Sequence, residues 1–207
     1  MPRAHVAAAA ALALALALAV ACKEPRVPHP LASQFRYICC NLHYEKPEIT
    51  DANYLRGKLI PLGTRVQILE VRKDSVKFEA AGYPSITLAL KYGARNLTMD
   101  QYLGRIFLVD NPYARLPKLP PDGKQAAAVD KTRRMIEEGT VSVGMTREQV
   151  LMAIGYPPAD RTPALDGPSW KYWANRGDTF EIYFDGDQVS RVSRQPESPG
   201  SGRRRRG

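Results

Sequence analysis

Few residues in this chain have types and spacing that could do chemistry. Of its three histidines, His5 stands near the start and His29 in a proline-rich stretch, which leaves His43 close to the adjacent pair Cys39 and Cys40 in RYICCNLHY. Cys40 and His43 are spaced so that an imidazole could draw a proton from a thiol and leave a nucleophilic thiolate. No neighbouring residue is placed to orient the imidazole, as such a pair requires. A metal site made of Cys39, Cys40 and His43 would lack a fourth ligand and the usual ligand spacing. Adjacent cysteines can also close a vicinal disulfide, but that small ring is geometrically difficult. The favoured reading puts two small side chains on opposite faces of a strand, and the redox state of the pair stays open. Asp185 and Asp187 flank Gly186, and turn chemistry accounts for both. G-x-S-x-G, H-E-x-x-H, phosphate-loop and C-x-x-C patterns are absent from the sequence. The expectation is a protein that is not an enzyme, with no catalytic residues, cofactor or metal.

Cys22 belongs to a different chemistry. Residues 1–22 read as one cation at Arg3, an uncharged run from Val6 to Ala21, then the cysteine, the three-part layout of a secretory signal. The run is shorter than the roughly 18 apolar residues that mark a membrane span. Leu18-Ala19-Val20-Ala21-Cys22 resembles the bacterial lipobox, with Ala19 where Leu is more frequent. That resemblance implies a lipid on the Cys22 thiol and cleavage before Cys22, and Lys23 rather than Asp after the cysteine, by resemblance to lipoprotein sorting, implies a chain held in the outer membrane facing the periplasm. Ala19-Val20-Ala21 is also an ordinary A-x-A cleavage site, so a soluble periplasmic or secreted protein is the alternative. One acyl chain binds membranes only marginally, and several bind stably. Residues 22–34 then form a proline-containing tether.

The formal net charge is +9, but Arg3 leaves with the signal and Arg203–Arg206 sit in a Ser/Pro/Gly tail over 195–207. Glu197 lies in the same tail, so the remaining chain is about +5, without a recognisable binding motif, and no nucleic-acid partner is expected. Once signal and tail are set aside, about 160 residues remain for one medium domain or two small ones.

Two bodies are legible. Residues 35–112 carry strand signals: Arg65–Val71 alternates through Val66 and Ile68, Ser75–Ala80 alternates again, and strand composition returns over Ser85–Tyr92 after a Gly82-Tyr83-Pro84 turn. Three short strands in a row imply an antiparallel meander, and Pro61-x-Gly63-Thr64-x-Val66-x-Ile68 resembles the opening of small SH3-like barrels. After Thr98, Met99, Tyr102, Leu103 and Ile106 fall at helical spacing, leading into a strand at Phe107–Val109. Residues 113–123, with Pro117, Pro120, Pro121 and Gly123, read as a linker.

The second body, 124–194, opens with a helix over Lys124–Glu138 whose apolar side would be Ala126–Val129, Met135 and Ile136, stopped by Gly139. A second helix has Thr146 as N-cap, Gln149 to close a capping box, Met145 to staple onto Val150, and Gly155 with Pro157-Pro158 to end it. Strands follow at Ser169–Trp173, Thr179–Phe184 and Gln188–Arg194, with Asp185-Gly186-Asp187 making the last hairpin. The fold class is thus α+β: a small β-rich domain, then a two-layer helix-helix-strand-strand-strand unit. On the first of these strands Trp170 and Tyr172 share one face and Trp173 the other. One aromatic set packs on the helices; the other is a candidate partner-binding surface.

The wording of that unit resembles the SmpA/OmlA (BamE-like) family of outer-membrane lipoproteins. It does so in Gly144-Met145-Thr146-Arg147-Glu148-Gln149-Val150, Gly155-x-Pro157, Trp170-x-Tyr172 and Phe184-Asp185-Gly186-x-x-Val189, over about 60 residues. The resemblance implies a non-catalytic protein-binding or assembly module, with the β-barrel assembly machinery as the partner. The N-terminal β-rich body and the basic tail are additions to a minimal family member. Two alternatives stand beside it: a peptidoglycan- or polysaccharide-binding SH3-like module, and a secreted inhibitor-like protein.

Overall fold

Strand β5 (Arg65–Val71) shows why the first body is a sheet. Val66 and Ile68 are buried while Arg65 and Leu69 face outward, the period of two that a half-buried strand needs. A bulge between Ile68 and Glu70 breaks the pairing with the next strand, so the expected alternation stops short of the strand end. Strand β6 (Ser75–Glu79) buries Val76 and Phe78, and β7 (Ile86–Ala89) buries Ile86 and Leu88; β5, β6 and β7 pair antiparallel as a meander. The structure, a computed structural model, describes residues 28–116, 118 and 123–193. The expected signal, Cys22 and the basic tail lie outside them.

The sheet is wider than the meander. Strand β1 (Phe35–Ile38) pairs with the free side of β5, β8 (Phe107–Leu108) pairs with β1, and β3 (Glu48–Thr50) joins β7 in parallel. The order is β3-β7-β6-β5-β1-β8, and β2 (Leu42–Tyr44) with β4 (Lys58–Ile60) makes a separate antiparallel pair. Phe78 on β6 and Phe107 on β8 stand three places apart in that order, yet their rings meet edge to face at 5.4 Å. At roughly 4.8 Å per strand a flat sheet would hold them far apart, so this sheet curls until its inner face closes on itself. Helix α1 (Met99–Ile106), capped by Thr98 and Gln101, adds Tyr102, Leu103 and Ile106 to that core.

The second body contains α2 (Gly123–Glu137), α3 (Arg147–Ile154) and the antiparallel strands β9 (Ser169–Asn175), β10 (Asp178–Asp185) and β11 (Gln188–Val192), in the order β11-β10-β9. The chain is therefore a mixed α+β protein. Helix α3 has the expected capping box: Gln149 N–H donates to Thr146 Oγ1 at 3.3 Å, and Thr146 N–H donates to Gln149 Oε1 at 2.9 Å. Asp185 pairs with Gln188, so Gly186 (φ 56°) and Asp187 alone make the last turn.

Helix α2 differs from expectation. Only Ile136 of its anticipated apolar side is buried; Ala127 and Ala128 are exposed, and Ala126, Val129 and Met135 are half-buried. Four consecutive apolar residues point all round a helix rather than along one stripe, so α2 is anchored through its last turn.

Candidate functional site

The two bodies meet through buried asparagines. Asn41 is fully buried. Its backbone N–H donates to the Met152 carbonyl at 3.1 Å, and its Nδ2 donates to the carbonyls of Ile136 at 2.6 Å and Ala153 at 3.0 Å. Its Oδ1 accepts from Leu62 N–H at 2.9 Å. Asn53 Nδ2 donates to the carbonyls of Ile154 at 2.7 Å and Tyr156 at 3.0 Å. The last carbonyls of a helix have no partner within it, so residues of the first body cap α3, and Asn41 caps α2 as well. Leu55 and Leu62 of the first body pack in the second core, while Ala159 and Tyr156 pack in the first.

Cys39 and Cys40 lead into Asn41. Strand β1 ends at Ile38, the two cysteines sit in the bend that follows, and their sulfurs are bonded to each other. This corrects the favoured expectation of two separate side chains on opposite strand faces: the backbone has left the extended conformation, so strand alternation no longer separates them. A bonded Cys40 has no thiol for His43 to activate.

Next to this joint, β2, β3 and the β9–β10 turn enclose an open cleft of about 410 Å3, lined by residues that include His43, Glu48, Thr50, Tyr54 and Arg176. Burial pushes the His43 imidazole below its ordinary value, which keeps it neutral. Both of its ring nitrogens and the Thr50 hydroxyl are buried without a hydrogen-bond partner. Glu45 and Arg56 pair at 3.7 Å on the rim. Asp51, one residue beyond the cleft floor, accepts backbone N–H bonds from Lys91 at 2.7 Å, Tyr92 at 2.9 Å and Gly93 at 2.5 Å. This fixes the 91–93 loop so that Tyr92 stands beside Tyr54. Burial, followed by the hydrogen bond with Tyr92, raises the Tyr54 hydroxyl above its ordinary value.

The three aromatic residues expected to meet a partner divide. Trp170 and Tyr172 have no exposed surface: Trp170 packs on Phe184 and donates to the Leu165 carbonyl, and Tyr172 stacks on Phe180 and donates to the Gly155 carbonyl. Neither offers a side chain to a partner, because strand alternation turns both toward the helices. Trp173 is on the opposite face, half-buried, with Tyr54 edge-on at 6.5 Å and the Arg161 guanidinium 5.4 Å above its ring. On the same outer face the Arg191 guanidinium lies 3.9 Å from the Tyr183 ring. Glu181 there accepts from Ser169 and Tyr183 hydroxyls, and these bonds hold its carboxyl below the usual carboxylate range.

Sequence reasoning found Trp173 by alternation but missed Asn41, Asn53 and Thr50. A polar residue inside an otherwise apolar run, as in Ile38-Cys39-Cys40-Asn41-Leu42, was the available signal for Asn41. Among the described residues no group of three or more His, Cys, Asp or Glu side chains could hold a metal ion, and no helix is long and apolar enough to cross a membrane. No protein-family model, curated protein or solved structure matches this chain.

Proposed function

We propose that this protein is a non-catalytic binding module of the bacterial cell envelope, exported by residues 1–21 and held at the outer membrane by a lipid on Cys22. The curled first sheet is read as SH3-like and α2-α3-β9-β10-β11 as BamE-like, which makes the β-barrel assembly machinery the named candidate partner. The observation that carries the reading is the outer face of β9 and β10, where Trp173 and Tyr183 each lie under an arginine. Tryptophan, tyrosine and arginine are the residues that dominate binding energy at protein interfaces, and cation–aromatic pairs on an open face are poised to be desolvated by a partner.

The experiment is capture from envelope extracts with the lipidated chain as bait, run beside Trp173→Ala and Cys22→Ala. Recovery of a barrel-assembly component, reduced by Trp173→Ala, is the expected result, with a lipid-sized mass increase that Cys22→Ala abolishes. An intact mass without lipid would remove the membrane anchor. Recovery of no barrel-assembly protein would remove the partner.

A further inference from the structure

Three of the six large apolar side chains that stand exposed among the described residues gather at one end of the first sheet: Phe35 (50%), Leu69 (37%) and Val109 (71%). The topology brings them there. Strand β1 runs antiparallel to both β5 and β8, so its start at Phe35 lies beside the last residues of β5 and the residue that follows β8. Phe35 pairs with Gln67, and Leu69 is two residues further along the same outward row, which makes the two diagonal neighbours. The chain enters the fold at this same end. Ser33 N–H donates to the Ile68 carbonyl at 2.7 Å, Ile68 N–H donates to the Gln34 carbonyl at 2.9 Å, His29 meets Asp100 at 3.1 Å, and Leu31 packs on the first core. Of the expected tether, residues 28–34 are thus fixed to the body, and Pro28, His29 and Ala32 line one open hollow with Leu69 and Val71.

We propose that this end of the first sheet lies on the membrane, with Phe35, Leu69 and Val109 set into the outer part of a phospholipid leaflet; the inference rests on the lipid anchor proposed at Cys22. Cys22 and Pro28 are six residues apart, and a fully extended chain covers at most about 3.6 Å per residue, so Pro28 stands no more than roughly 22 Å from the lipid-bearing residue whatever path joins them. The surface beside Pro28 is the one that carries Leu69. Apolar groups held this close to a bilayer gain by leaving water, and the gain grows with the area buried. Arg36, Arg72 and Lys73 at this end are accompanied by Glu70, Asp74 and Asp110, and Arg72 is paired with Glu70 at 2.9 Å. With the charges nearly balanced, apolar contact is what the surface offers, and a zwitterionic leaflet is sufficient to bind it. The lipid supplies attachment, and this second contact fixes which way the body faces.

The test supplies the anchor chemically, so that it does not depend on acylation in the cell. Cys22 is the one cysteine outside the Cys39–Cys40 bond. The mature chain is coupled through that thiol to a maleimide lipid in phosphatidylcholine vesicles, which also contain a phospholipid with a diazirine in its acyl chain. After illumination, labelled peptides are mapped by mass spectrometry. Labels on the peptides that contain Phe35, Leu69 and Val109 are expected. A chain with Phe35→Ser and Leu69→Ser, both at exposed positions, is expected to lose the label at all three sites while circular dichroism shows it folded. Labels confined to residues 22–27, labels spread evenly over the body, or a folded double variant labelled like the parent chain overturn the proposal. An intact mass without lipid from envelope extracts removes the anchor on which the proposal rests; a lipidated chain with labels confined to 22–27 overturns the membrane surface and leaves the anchor standing. The surface shares no residue with the outer face of β9 and β10, so capture of an envelope protein is expected to survive the double variant.

Discussion

Asn41 and Ile136 are 95 residues apart in sequence, yet the Asn41 side-chain amide donates to the Ile136 carbonyl at 2.6 Å, in a fully buried position. The same amide donates to Ala153, so one side chain closes the C-terminal ends of two helices. The bend between β1 and β2 of one body thereby becomes part of the capping chemistry of the other.

Asn41→Leu keeps the size of the side chain and leaves the Ala153 carbonyl and the Leu62 N–H without their partner, while the Ile136 carbonyl keeps only its bond from Gly139 N–H. Each buried group left unpaired costs about 1–3 kcal/mol, so a loss of roughly 2 kcal/mol or more is expected in urea unfolding. A loss under about 0.5 kcal/mol, the usual range of surface substitutions, would show that the joint does not hold the bodies together.

Gly155 ends α3 with φ 76°, and a Cβ there would come 2.8 Å from Asn53 Nδ2. Gly186, with φ 56°, would place a Cβ in open space. Gly186→Ala pays only the left-handed backbone, about 1–2 kcal/mol, whereas Gly155→Ala also displaces the Asn53 cap. Gly155→Ala is expected to be the more destabilising of the two, and the excess to shrink in an Asn53→Ala background. A double-mutant cycle by chemical denaturation reads this coupling directly.

Burial holds native His43 below the ordinary 6.5, so the unfolded chain takes up a proton that the folded chain resists. Its contribution to stability is therefore complete above pH 6.5 and falls as pH drops from there toward the native value. Thermal melts between pH 8 and pH 5 are the measurement. A decline that His43→Leu flattens is expected; an unchanged decline in that variant would assign it to other groups.

Cys39 and Cys40 are bonded, and Cys40 is fully buried. The mature protein is expected to weigh two hydrogens less than its reduced form in this segment, and both thiols to alkylate only after reduction in denaturant. Alkylation of either cysteine in denaturant without a reductant would mean that the bond is not formed.

Local chemistry settled a large part of the fold in advance. Thr146 and Gln149, and separately the spacing of Met99, Tyr102, Leu103 and Ile106, specify helices whose start, face and end lie within a few residues of one another. Alternation at Val66, Ile68, Val76 and Phe78 specifies the strands and their buried side. Gly186 with Asp187 suits a two-residue turn wherever the strands lie. These are short-range steric and hydrogen-bonding constraints, and they read directly from residue order. They also placed Trp173 opposite Trp170 and Tyr172, without saying which face would be covered.

What only the tertiary structure decided involves partners distant in sequence. Strands β1 and β3 are too short to announce themselves, and each is a strand because a free edge of β5 or β7 accepts it. The vicinal disulfide depends on where β1 ends, and the burial of Trp170 and Tyr172 depends on which face of β9 the helices cover. Asn41 and Asn53 carry no motif: their role exists because folding brings the C-terminal carbonyls of α2 and α3 against them, and a buried carbonyl must find a donor wherever the chain can supply one. The cleft around His43 and Thr50 has the same origin, since its walls come from β2, β3 and the turn at Asn175 and Arg176, which only the packed structure brings side by side.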